Sequence, residues 1–141
     1  EEVISRSIEN AAQIEREMKM GLALEVLQEV RKLNPNKNAY VTLGENGAYV
    51  SGEEGIVHVA LREDYAMMVN DAIRKRRETI NAAGDYFFAA VAYHEVFSKG
   101  MSAVNIAVKA SENAIRHIGY WDYLPRDAFN VREPQTLLRA A

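Results

Sequence analysis

Thr79-Ile80-Asn81-Ala82-Ala83-Gly84-Asp85-Tyr86-Phe87-Phe88-Ala89-Ala90-Val91-Ala92 runs from a loop of small residues straight into a helix, with one carboxylate at the junction. Ala82, Ala83 and Gly84 carry almost no side chain, so their backbone N–H groups can approach a bulky ligand closely. The first N–H groups of the helix lack intrahelical partners, and the helix dipole adds partial positive charge there. Such an end holds an anion, phosphate above all. Asp85 stands where it could take a proton from a hydroxyl attacking a phosphate held at that end. On these residues alone, a plain helix start with Asp85 complementing the dipole is the commoner meaning.

Working outward, Ala39-Tyr40-Val41-Thr42-Leu43-Gly44 is short, apolar and β-prone, the pattern of a buried strand. Glu45-Asn46-Gly47 makes a tight turn, and Ala48-Tyr49-Val50 returns from it. Ile56 to Leu61 is a further strand after Gly52-Glu53-Glu54-Gly55. Beyond the junction, helix 83–98 carries Phe87, Phe88, Val91, Val96 and Phe97 and stops at Lys99-Gly100. Ser102 caps a helix over 101–118 whose Ala103, Ile106, Ala107, Ala110, Ala114 and Ile115 face inward.

Two of these stretches resemble signatures of one family. Ala82-Ala83-Gly84-Asp85 followed by a small-residue helix is similar to the Asp-Thr-Thr-Gly-Ala-Gly-Asp signature of ribokinase-like (PfkB) carbohydrate kinases. Val41-Thr42-Leu43-Gly44 with Gly47 resembles the family's Val-Thr-Leu-Gly-x-x-Gly strand and loop, and helices 83–98 and 101–118 resemble its alanine-rich close. Thr79 and Ile80 depart from the signature, standing where an Asp and a Thr are usual, and the charged stretch 62–78 has no counterpart in the pattern. The resemblance covers roughly residues 38–119. It implies an α/β fold, part of a ribokinase-like layered sandwich with helices packed on a small, mostly parallel sheet that includes a hairpin.

The same resemblance implies a function. The chain would supply the nucleotide half of a sugar kinase, in which ATP with Mg²⁺ donates its γ-phosphoryl group to a hydroxyl of a sugar or related small molecule. Asp85 would be the general base, and the backbone of Ala82, Ala83 and Gly84 would stabilise the developing charge. Thr42, Gly44, Gly47, Ala107 and Ser111 would contact the nucleotide. The residues that bind the sugar would lie in a half absent from this sequence, so the chain alone is expected to be inactive. A non-catalytic nucleotide-binding or assembly module of the same fold is the alternative, and an unrelated α/β interaction domain is a third.

The N-terminal third is helical in pattern from residue 1 to 33, where Asn34-Pro35-Asn36 stops it, with Gly21 as an interruption or a bend. After Gly119 the chain turns irregular through Trp121 and Tyr123 to Pro134, with a short terminal helix expected over Gln135–Ala141. One domain over 1–141 fits the length. A net charge of −3 argues against nucleic acid and anionic membrane as partners. Arg74-Lys75-Arg76-Arg77 is the only cationic run, a solvated helix end or a contact to nucleotide phosphates. With no cysteine there is neither disulfide nor thiolate metal site, which fits a cytoplasmic setting. His94 and His117 stand apart from carboxylates at ligand spacing, so no metal site is assigned. A homodimer through the N-terminal helices or a sheet edge is left open, without residues assigned to it.

Overall fold

The computed structural model describes residues 2–75, 83–118, 124–125 and 127–134, without the side chains of 72–75 and 118. In chain order it has α1 (Glu2–Leu33), β1 (Ala39–Thr42), a 3-10 turn (Gly44–Asn46), β2 (Ala48–Gly52) and β3 (Gly55–Leu61). Then follow α2 (Glu63–Lys75), α3 (Ala83–Phe97), α4 (Ala103–Ile118) and β4 (Phe129–Arg132). Gly21 does not interrupt α1, which runs through it unbroken.

The four strands form one sheet in the order β1-β2-β3-β4, and every pairing is antiparallel. This corrects the expectation of a mostly parallel sheet. Parallel neighbours need a crossover of a dozen residues or more. Here β1 reaches β2 through the turn at 43–47, with Thr42 opposite Ala48. The β2–β3 turn is tighter still, Glu53-Glu54 between paired Gly52 and Gly55, with Gly55 at φ 111°. Only β3 and β4 are joined by a long connection, which includes α2, α3 and α4, and β4 still returns antiparallel with Leu61 opposite Phe129. β4 was not expected: four residues in a polar stretch give too little alternation to show a strand.

Strand alternation divides the core into two layers. Tyr40, Ala48, Val50, Val57 and Val59 face α3 and α4, where they meet Phe87, Val91, Ala103, Ile106, Ala107 and Ala110. Their neighbours Ala39, Val41, Tyr49 and Ile56 face α1 and meet Met20, Ala23, Leu24 and Leu27. Small residues on α4 (Ala103, Ala107 and Ala110, all buried) bring its backbone close to the sheet and to α3. Arg31, near the end of α1, donates to the Ser51 hydroxyl (3.0 Å) and to the Gly52 carbonyl, which gives the fully buried Ser51 a partner.

Candidate functional site

Strands β1, β3 and β4, the turn after β1, and helices α2, α3 and α4 converge on a cavity of about 510 Å³. Its rim on the sheet side is Thr42, Gly44, Glu45 and Gly47, at the end of β1 and in the turn after it. Leu61 and Phe129, paired across β3 and β4, form one wall. Ala66, Val69 and Asn70 of α2 form another, and Ser111, Ala114 and Ile115 of α4 a third. Ala83, Gly84 and Phe87 bring in the first turns of α3. The volume lies in the range of small-molecule pockets, and the lining has their composition, mostly apolar with a few convergent polar groups.

The turn and the start of α3 are each tied to a neighbouring element. The turn at Gly44–Asn46 is tied to β3 because the His58 ring, edge-on to Tyr49, lies with Nε2 2.6 Å from the Asn46 carbonyl and donates to it. Gly47 has φ 88°, and a Cβ there would overlap the Val59 carbonyl oxygen and lie 2.9 Å from the Ala60 Cα. Its glycine identity is therefore required by packing. Gly44, at φ 60°, has open space where a Cβ would stand. The start of α3 is held against α4 by Asn113, whose amide donates to the Tyr86 carbonyl (2.9 Å). The Tyr86 ring also stacks on His117, with centroids 4.0 Å apart. Gly84 faces open space, with no atom within 4 Å of a Cβ built on it.

Of the residues singled out in the sequence, Thr42, Gly44, Gly47, Ala83, Gly84 and Ser111 line this one cavity. Asp85 lies in the first turn of α3 and is exposed, and it is not part of the lining. Ala107 is fully buried among Val50, Val59 and Ala103 and does not reach the cavity. Ala82, Thr79 and Ile80, the side chains of Arg74 to Arg77, and residues 121–123 and 135–141 lie outside the described residues. His94 sits with its Nδ1 2.8 Å from the Ser98 hydroxyl, a contact within the end of its own helix region.

Sequence reasoning did not anticipate Glu45, or the α2 wall of Ala66, Val69 and Asn70. The spacing 66, 69 and 70 marks one helical face, which was the available signal. Glu45 is the one charged side chain among the described lining residues. Attraction for an anion here would therefore come from the backbone N–H groups at the start of α3, while the apolar walls suit a flat ring. Among the described residues no helix is long and apolar enough to cross a membrane, and no three His, Cys, Asp or Glu side chains gather to hold a metal ion. No protein-family model, curated protein or solved structure matches the chain.

Proposed function

We propose that the chain binds a nucleotide in the 510 Å³ cavity and supplies the nucleotide half of an ATP-dependent sugar kinase of the ribokinase-like kind. The observation that carries this reading is the convergence of Thr42, Gly44, Gly47, Ala83, Gly84 and Ser111, far apart in sequence, on one cavity at the N-terminus of a helix. The base would lie between the apolar walls from α2, α4 and Phe129, with Ser111 and Asn70 as its polar contacts. The phosphates would reach the open side of Gly84, where backbone N–H groups point outward. Because no carboxylate cluster is present among the described residues, a magnesium ion would arrive on the phosphates themselves.

In that arrangement Asp85 acts on the acceptor rather than on the nucleotide, taking the proton of a sugar hydroxyl as it attacks the γ-phosphate. One observation favours a second reading, a nucleotide-binding module without chemistry: Asp85 is exposed and outside the lining. Calorimetric titration of the chain with Mg·ATP tests both. Saturable binding is expected, weakened roughly tenfold or more by Gly84→Val, which fills the open space, and nearly unchanged by Asp85→Ala. Absence of binding at millimolar Mg·ATP, with the fold intact by circular dichroism, overturns the proposal. Phosphoryl transfer to a sugar by a complex that contains this chain, lost in Asp85→Ala, separates the kinase from the module.

A further inference from the structure

α1 uses only part of its length and one side to hold the sheet. Leu24 and Leu27 are buried there, while every residue from Glu2 to Arg16 is exposed. A second apolar stripe runs along a different side. Ile4 (66% exposed), Ile8 (65%), Leu22 (62%), Val26 (50%) and Val30 (38%) lie along it, with Ala12 among them. Two charges, Glu15 and Lys19, sit at its middle and form an i,i+4 pair at 2.9 Å. At 3.6 residues per turn these eight positions fall within about 80° of arc, roughly 130° round from Met20, Leu24, Leu27 and Arg31.

The order along the stripe reads the same from both ends. Taking residues whose numbers sum to 34, Ile4 matches Val30, Ile8 matches Val26, Ala12 matches Leu22, and Glu15 matches Lys19. We infer that two copies of this chain pair through α1, antiparallel about a two-fold axis near residue 17. In that pair each apolar residue meets an apolar one. Glu15 of each copy meets Lys19 of the other, so the internal pair becomes a ring of four alternating charges. A two-fold interface requires this kind of self-complementarity, in which residue i meets j and j meets i. The outer face of α3 is also apolar and exposed (Tyr93, Val96 and Phe97), but no such order selects what would cover it.

Residues 4–30 overlap over about 40 Å at 1.5 Å per residue. A contact strip about 10 Å wide gives a flat footprint near 800 Å² for both copies, and the curved surface beneath it is larger. That approaches the ~1,000 Å² at which specific interfaces begin, so the dimer is weak, with a Kd on the order of tens of micromolar. No reading of the cavity is involved.

Sedimentation equilibrium of the full chain tests it. A monomer–dimer equilibrium is expected, weakened roughly tenfold by Lys19→Glu and restored by combining Lys19→Glu with Glu15→Lys in one chain. The chain has no cysteine, so register can be read by disulfide formation. An Ile8→Cys chain mixed with a Val26→Cys chain should cross-link to each other in preference to either with itself, at positions exposed enough to leave the monomer fold unchanged. A monomer at all concentrations, a dimer indifferent to charge reversal, preferred Ile8→Cys self-linkage as in a parallel pair, or a dimer without the mixed cross-link as in an α3-mediated pair would each overturn the proposal.

Discussion

At the scale of single residues, the two glycines of the β1–β2 turn separate a structural role from an available one. Both Gly44 and Gly47 have positive φ, yet only Gly47 has backbone packed where a side chain would go. Gly47→Ala must adopt a left-handed conformation and also displace β3, so it should lower stability by at least ~3 kcal/mol. Gly44→Ala meets only the conformational penalty and should cost about 1 kcal/mol. Urea unfolding of the two variants checks the contrast, and equal effects would mean that the close approach of the turn to Val59 is not maintained in solution. The sequence marked both positions alike as candidate nucleotide contacts, Gly44 at the end of a strand and Gly47 in the turn after it. What distinguishes them is the neighbouring strand, and sequence spacing carries no information about that distance.

At the scale of elements, the end of α3 is fastened to the edge strand by polar side chains. The Tyr40 hydroxyl donates to Glu95 Oε1 (2.7 Å), and the Asn38 amide donates to the same oxygen (2.9 Å). Burial, and then the adjoining Glu95 carboxylate, raise the Tyr40 phenol well above its ordinary range. A raised value in the folded state means that the neutral phenol contributes stability fully below about pH 10 and loses it progressively as pH rises beyond that. Tyr40→Phe should therefore cost about 1 kcal/mol near neutral pH, and the gap between wild type and variant should narrow in alkali. Urea titrations at both pH values measure it, and a gap independent of pH would show that Glu95 does not hold the phenol. Much at this scale could be read in advance. Apolar runs gave β1, β2 and β3, Ser102 caps α4 through the Asn105 N–H, and Gly100 at φ 88° follows α3. Strand direction could not be read from such local signals, and the resemblance pointed the wrong way. Nor could α2 be recognised as a cavity wall, since what Ala66, Val69 and Asn70 face depends on β4 and α4.

At the scale of the whole molecule, the chain has an uneven distribution of stability. Helices α1, α3 and α4 and the four strands share the two packed layers, but no residue of the first half of α1 is buried, and Glu9, Ala12, Gln13 and Arg16 only border an open groove beside the Thr42–Asn46 turn. The sequence displayed its helical period without revealing this, because an apolar stripe looks alike whether it meets a sheet, a second copy or water. A helical segment of about 15 residues that buries no side chain is marginal in water, and exposed pairs such as Glu2–Arg6 at 3.1 Å add only a few tenths of a kcal/mol. Amide hydrogen exchange on dilute protein should therefore find residues 2–16 almost unprotected, while the turns around Leu24 and Leu27 exchange only through larger openings. Antiparallel pairing would lay the packed half of one α1 against the free half of the other. Protection of residues 2–16 should then rise with protein concentration, and the rise should be much smaller in Lys19→Glu at the same concentrations. Protection equal to that of the buried turns in dilute solution would mean that the first half of α1 is stabilised within one chain. Protection that stays low at every concentration would mean that the free half never finds a partner of its own kind.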